Sequence, residues 1–478
     1  MRKRLKQIFA MFACAAISLS AFTACSSAEV ELKDFIPSGE IKLDFKGKEF
    51  KIVGLYREGI AEVAPIAYEN MYSDMLLEHY EAISDKFNIK IITEGSDSIS
   101  DDMQIKASTG DKFADIIDEG LYTLLDLYNA NYIMEVSNII DYSDLHSGKY
   151  GTESQLEGST LRRKNGDEVF GFQAAYWGIP TPKFSNAGYF NPDMVKKFNL
   201  ENPYELIENG DWTWDVFAKM CINCASDGTD PSSDTDDTYG VAENPSHGYV
   251  TRAALASNNV EIVSYNEDSG LYEYNLDTPE FTSTIEWVRD LYNKGGLKII
   301  EGETGNSSIG NVVNNFIEGR SFFMVEHTYH GSTDRESLAY KADFNFSWIP
   351  FPKGPDAVDY AYGASVSGAD RYFAFPAVGV DEDMLMSVVP SLFSQFDGLT
   401  EFEWRDYYSI GMFFDEKSEY WFYHMYDNLT NSYDYTLSFF SDDARLAKVL
   451  SGEKTLAQSL DEYLTVGQSE IDEYLNVQ

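Results

Sequence analysis

Basic residues are scarce in this chain. It holds 36 Lys and Arg against 79 Asp and Glu, with six His, for a formal net charge of −43. Such a chain repels phosphate backbones, which argues against nucleic-acid binding. Cysteine is scarce as well: only Cys14, Cys25, Cys221 and Cys224 occur, too few for a disulfide-built scaffold. Beyond residue 24 no apolar run is long enough to cross a bilayer. The common catalytic signatures are absent too: there is no HExxH, G-x-S-x-G, Walker-type G-x-x-x-x-G-K-[ST] or G-x-G-x-x-G. With 79 carboxylates an acid pair for glycoside hydrolysis cannot be singled out. Strong charge sometimes signals disorder, but 44% hydrophobic residues, 32 Tyr, 31 Phe and 7 Trp point to a folded body. The length suits two or more lobes rather than one core.

What is present begins at the N-terminus. Arg2, Lys3, Arg4 and Lys6 precede an apolar stretch from Ile8 to Ala24, broken only by Ser and Thr. This is the build of a secretory signal, residues 1–24. Phe22-Thr23-Ala24-Cys25 resembles the bacterial lipobox, in which small residues precede a cysteine that is lipidated and becomes the new N-terminus. Cys25 is the expected lipidation site, with Cys14 as its rival inside the apolar core. The other reading is an ordinary cleaved signal with an incidental cysteine. Removal of residues 1–24 leaves 32 basic against 79 acidic residues, a net −47. Residues 25–47 read as a tether between a lipid anchor and the body, which places the protein at the extracellular face of the cell membrane.

The body alternates strand and helix. Phe50–Leu55 reads as a strand. Leu76, Tyr80, Ile83 and Phe87 fall on one face of a helix over Tyr72–Phe87. Strands are expected at Asn88–Thr93 and at Ala114–Ile117, the latter followed by the polar Asp118-Glu119-Gly120 and a helix through Leu124, Leu125 and Tyr128. This rhythm argues for a parallel, helix-covered sheet. In the middle of the chain Thr213 is a candidate cap for a helix whose apolar face holds Trp214, Phe217, Cys221 and Ala225. Thr278 and Pro279 open a second helix with a stripe of Phe281, Ile285, Val288 and Tyr292, stopped by Gly295-Gly296. A third closes at Phe316–Gly319 before a strand over Ser321–Val325. The C-terminus from about Thr455 to Leu475 reads as helix.

Several of these segments together resemble the family 1 extracellular solute-binding proteins, the maltose-binding-like receptors of ABC importers. Gly210-Asp211-Trp212-Thr213-Trp214-Asp215-Val216-Phe217 is the most specific of them. Ala114–Ile117 resembles the family's strand before a ligand loop. Tyr176-Trp177-Gly178-Ile179-Pro180 followed by Gly188–Met194 resembles the crossover into the second lobe. Phe316–Met324 resembles a late helix-to-strand step, and Trp348–Pro355 the loop after it. The chain departs from the pattern at Phe323, where a small residue is usual, and across Tyr329–Lys341, which has no clear counterpart. The resemblance implies an α/β, two-lobe periplasmic-binding-protein-like fold of type II, each lobe a mostly parallel sheet, with the ligand between them. The expected lobes are 48–175 plus 366–400, and 176–365 plus 401–478.

Carbohydrates are held by aromatic faces and by carboxylate, amide and Arg groups on the hydroxyls. The family pattern puts such residues in loops after strands. The candidates are Tyr56 and Arg57; Asp118, Glu119 and Tyr122; Tyr176, Trp177 and Tyr189; Glu326, His327 and Tyr329; and Trp404 near the C-terminus. Each residue type also serves as packing or solvated surface. Trp214 reads as packing in the first turn of its helix. The Asp227–Asp237 run is acidic enough to attract calcium, but Pro231 and the missing Glu at its twelfth place break the EF-hand pattern, so a solvated turn is expected. Cys221 and Cys224 have redox spacing inside a helix and are expected as buried thiols, with a local disulfide the other reading. His327 and His330 do not make a zinc site by spacing.

The resulting expectation is a monomeric lipoprotein that captures a carbohydrate for ABC permease subunits, without catalytic chemistry, metal or cofactor. A secreted glycoside hydrolase and a surface adhesin are the alternatives. The anchor is tested directly: Cys25→Ala should move the protein from the membrane fraction to the soluble one. Retention on membranes equal to that of the parent would reject the lipobox.

Overall fold

The protein's structure is a computed structural model. It describes residues 43–57, 60–61, 71–174, 184–227, 237–244, 247–300, 306–331, 338–357, 363–366, 370–396, 412–431, 433–440 and 445–477. Two mixed sheets, each covered by helices, form two lobes. The chain lays down β1 (Lys48–Arg57), β2 (Ile60–Ala61), β3 (Ile89–Ser96), β4 (Ile116–Gly120) and β5 (Ile133–Met134). A small hairpin, β6 (Thr160–Leu161) and β7 (Glu168–Val169), follows. The second sheet is built from β8 (Ala187–Phe190), β9 (Tyr239–Glu243), β12 (Leu297–Ile299), β13 (Ser321–Glu326) and β14 (Ser347–Trp348), with the hairpin β10 (Val263–Asn266) and β11 (Leu271–Tyr274) beside it. The chain then returns to the first sheet as β15 (Arg371–Pro376).

The two sheets share a plan. β3, β1 and β4 run parallel, and β15 pairs antiparallel with β4. β12, β9 and β13 run parallel, and β8 pairs antiparallel with β13. Each antiparallel strand follows a passage of chain between the lobes. Those passages meet side by side: Ser185 and Ser365 exchange both backbone hydrogen bonds at 3.0 Å, and Val366 N–H donates to Thr430 at 3.0 Å. This crossing is the narrow connection about which such lobes hinge.

The helices follow the apolar stripes. Met71–Phe87 buries Leu76, Tyr80, Ile83 and Phe87 against the first sheet. Pro279–Asn293 opens on Thr278, whose hydroxyl accepts from Phe281 N–H at 3.2 Å. It buries Phe281, Ile285 and Val288, while Tyr292 is only partly covered. Each such side chain contributes ~1.5–3 kcal/mol on leaving water. Leu456–Tyr474 starts with a full capping box between Thr455 and Gln458.

Two local expectations are corrected. The strand expected over Ala114–Ile117 is β4, Ile116–Gly120, so Asp118 and Glu119 lie inside it. The cause is non-local: β15 pairs Arg371, Tyr372 and Phe373 with Gly120, Glu119 and Asp118. Thr213 does precede the helix Trp214–Cys224, but its side chain makes no capping bond, and Ala225 lies past the end. Trp214 N–H instead donates to Lys353 O at 3.1 Å, so a neighbouring chain segment does the capping.

Trp212 and Trp214 anchor the second core. Trp214 stacks on Trp287 with centroids 4.3 Å apart and donates from Nε1 to Ser257 at 3.1 Å. Trp212 is fully buried against Phe217 and Phe323, and its Nε1 donates to Pro350 O at 2.9 Å. β9 lies so close to this helix that a Cβ on Gly240 would come within 2.2 Å of Cys221 Cβ. That approach explains a glycine in the strand and a small residue on the helix. Cys221 and Cys224 are free, buried thiols, and burial pushes both well above the usual thiol range. Trp212→Ala should cost ~3–5 kcal/mol in chemical denaturation, because it opens a cavity and strands the Pro350 carbonyl. A loss below ~1 kcal/mol would remove Trp212 from the core.

Candidate functional site

β13 is buried along its whole length, as its unbroken run Ser-Phe-Phe-Met-Val-Glu requires of a strand covered on both faces. It delivers Glu326 to the junction of the lobes, where His327 and the single turn Thr328–Gly331 follow. Its parallel neighbour β9 delivers Glu243 to the same end. Glu243 is buried, and it accepts from Thr251 N–H at 2.9 Å, Thr251 Oγ1 at 3.1 Å and Val250 N–H at 3.4 Å. These donors sit at the start of the helix Tyr249–Ser257, where the helix dipole favours an anion. Burial still raises its pKa to about 7, opposed by those hydrogen bonds.

Glu326 lacks any such support. Its side chain is fully enclosed, and neither carboxylate oxygen has a hydrogen-bond partner. His330 Nε2 lies 3.7 Å from Oε2, beyond hydrogen-bond reach. Burial, with a smaller contribution from Glu243, pushes Glu326 well above the usual carboxylate range, opposed by the backbone N–H of the adjacent His327. Burial also lowers His330 to about 4, so its imidazole is neutral near pH 7. Aromatic rings surround the pair. Tyr249 meets His327 edge-on at 5.3 Å, and Tyr329 lies 5.7 Å from His327 and 4.0 Å from His330. Tyr249 is 8% exposed and Tyr329 45% exposed, so the wall ends in an open ring face.

This cluster is linked to the first sheet. Ser185 Oγ lies 2.8 Å from His327 Nδ1, and the same nitrogen lies 3.9 Å from Asp370 Oδ1. Asp370 O accepts from Leu121 N–H, just past β4. Next in the chain, Arg371 reaches Asp118 Oδ1 from Nε at 3.1 Å and Glu119 Oε1 from Nη1 at 3.3 Å, and Nη2 donates to Asp118 O. All three side chains are buried. Removing one partner of such a group typically costs ~3–5 kcal/mol, because a buried charge is left behind.

The residues singled out from sequence therefore divide. Glu326, His327 and Tyr329 come together at the end of the second sheet. Asp118 and Glu119 stand across the junction, engaged with Arg371. Tyr189 is fully enclosed: its ring lies 4.1 Å from Trp348, and its hydroxyl donates to His327 O at 2.6 Å, so it packs behind the wall. Tyr122 turns to the C-terminal helix, hydroxyl to hydroxyl with Tyr474 at 2.5 Å, and lines a cavity of about 390 Å³ with Tyr435 and Glu470. Tyr56 and Arg57 end β1 by their backbone, but their side chains lie outside the described residues, as do Tyr176, Trp177, Trp404 and Cys25. Residues 228–236 of the Asp-rich run also lie outside them. Among the described residues no group of three or more His, Cys, Asp or Glu could hold a metal ion. Nor is any helix among them long and apolar enough to cross a membrane.

Sequence reasoning missed Glu243, Tyr249, Asp370 and Arg371. Glu243 had a usable signal, since Tyr239–Glu243 ends in a carboxylate just as Ser321–Glu326 does. Arg371 had none, because its role depends on a pairing between residues some 250 positions apart.

Residues 74–372 match the family of bacterial extracellular solute-binding proteins. None of the curated proteins matches the sequence. Solved structures share the fold at low identity. A sugar transporter protein from Rhizobium etli in an open conformation superposes with a TM-score of 0.60 at 14% identity, over 88% of this chain and 99% of that one. MalX from Streptococcus pneumoniae in complex with maltopentaose gives 0.53 at 16%, over 88% and 99%. UgpB from Mycobacterium tuberculosis in complex with glycerophosphocholine gives 0.53 at 13%, over 89% and 98%. The family match covers well over half of the sequence, and the two-lobe architecture agrees with it: the chain belongs to the bacterial extracellular solute-binding proteins.

Proposed function

We propose that this solute-binding protein captures a carbohydrate between its lobes and presents it to the permease subunits of an ABC importer. The observation that carries this reading is the ring wall of Tyr249, His327 and Tyr329, open at Tyr329 and standing beside buried carboxylates. An aromatic face suits the C–H face of a pyranose, and polar groups beside it suit the hydroxyls. The sugar-named neighbours from Rhizobium etli and Streptococcus pneumoniae support the same solute class. The neighbour with glycerophosphocholine marks the range of solutes the fold accepts.

In this reading Glu326, His327 and Tyr329 form one jaw, and Asp118 and Glu119 belong to the other. The jaws are lobes of 48–175 plus 366–400 and of 176–365 plus 401–478. Tyr176, Trp177, Tyr56, Arg57, Tyr122, Tyr189 and Trp404 stay candidates at the cleft or its rim. The protein works as a monomer by capture and release and makes or breaks no bond in the solute. Cys25 carries the lipid that holds it at the outer face of the cell membrane.

A thermal-shift screen of mono- and oligosaccharides tests the solute class. At one hundred times its dissociation constant a ligand of the folded state should add about 2.7 kcal/mol. Scattering on the same hit should show a smaller radius as the hinge closes. Tyr329→Ala should weaken that hit about fivefold to tenfold through lost stacking, with the melting temperature of the unliganded protein unchanged. Hits confined to peptides or other non-sugar solutes would reject the carbohydrate. A sugar hit without compaction would reject the clamp.

A further inference from the structure

The carbohydrate reading leaves three polar atoms of the site unexplained. Glu326 Oε1, Glu326 Oε2 and His330 Nε2 are all buried, and none has a hydrogen-bond partner. They sit together, with His330 Nε2 3.7 Å from Glu326 Oε2. Nearly all buried polar atoms in proteins are partnered, so three orphans in one place call for a ligand that fills them. Around Glu326 stand Glu243, His327, His330, Tyr189, Tyr249 and Tyr329, and no lysine or arginine of the described residues is within ion-pair distance. Glu243 gives its oxygens to the helix at Tyr249, and Tyr189 gives its hydroxyl to His327 O, so neither supplies a donor.

Donor counting narrows the ligand. A sugar hydroxyl brings one hydrogen to donate, and an ammonium group brings three. Two carboxylate oxygens and one imidazole nitrogen are three acceptors. Tyr249 and Tyr329 bring two aromatic rings into the same cluster, and such rings attract a cation. We propose that the solute is an amino sugar, a carbohydrate bearing a free basic nitrogen, and that Glu326 and His330 receive its ammonium group. This rests on the carbohydrate reading above and specifies it.

The proton balance follows. Without ligand a charged Glu326 would stand enclosed with no cation of the described residues at ion-pair distance, so the acid holds its proton. The incoming ammonium replaces that proton as the neutralising charge, Glu326 ionises, and one proton passes to solvent. Affinity should therefore rise with pH for as long as the amine itself stays charged. The same proton should appear in calorimetry as a binding heat that depends on the buffer's ionisation enthalpy.

The test compares glucosamine oligomers of two to four units with their fully N-acetylated counterparts, matched in ring number and differing in charge. The free amines should bind at least about tenfold tighter, the scale of a charge-assisted bond to a buried carboxylate. They should also release about one proton per site, which the acetylated sugars should not. Glu326→Gln keeps the shape and removes the charge. It should abolish both the preference and the proton release, and an unliganded melting temperature equal to the parent's reports that the variant is folded. Equal affinity for the two forms, or a preference that survives Glu326→Gln, overturns the amine and leaves the carbohydrate reading standing. Binding of spermidine that depends on Glu326, with no sugar of either form bound, overturns the amino sugar together with the carbohydrate reading.

Discussion

The two sheets meet acid to acid. The first sheet carries the buried acids Asp118 and Glu119 in β4, and the second carries Glu243 and Glu326 at the ends of β9 and β13. Arg371 lies inside the first pair and donates to one oxygen of each carboxylate. Among the described residues the second pair has no cation at ion-pair distance: Glu243 leans on a helix N-terminus and feels Arg252 of that helix, and Glu326 has neither support. This inequality organises the site. On the first sheet one guanidinium offsets one of the two acidic charges and ties both side chains in place. The second holds an unpaid electrostatic cost that a proton or a ligand must relieve.

The position of Arg371 shows how the topology supports this. It is the first residue of β15, the strand that returns from the second lobe to pair with β4. Asp370, one residue earlier, faces His327 at 3.9 Å and also accepts from Leu121 N–H. The same few residues therefore enter the first sheet, hold its acids and touch the second lobe. A change of angle between the lobes acts first on the His327–Asp370 contact, because the Arg371 bonds lie within one sheet. Closure and site chemistry are thus joined through two adjacent residues.

Much of this was legible in the chain where the determinants are local. Pro279–Asn293 was readable because cap, proline, stripe and stop all fall within about twenty residues, and the structure uses each of them. The same holds for the capping box at Thr455 and for the buried run of β13. What was not readable is non-local. Asp118 and Glu119 looked like loop residues because nothing nearby in sequence announces β15. Thr213 looked like a cap because it sits where one belongs, yet Lys353 O supplies the partner. Tyr189 looked like a cleft aromatic, yet Trp348 and Phe346 close over it. Strand-end reasoning placed Glu326, His327 and Tyr329 together because they end β13 or follow it directly in sequence.

The net charge of −43 bears on this site less than its size suggests. At physiological ionic strength charges are screened over about 8 Å, so the acidic exterior raises the local concentration of cations without choosing among them. Discrimination has to come from groups that salt does not reach. Glu326 is such a group: it is enclosed, it lacks a cation, and it stands beside a neutral imidazole and two tyrosine rings. A neutral solute gains there only what stacking and single hydroxyl donors provide. A solute that brings its own positive charge also removes the cost of the buried acid. On the proposed reading the surface field and the buried carboxylate act in sequence, one gathering cations without selection and the other choosing among them.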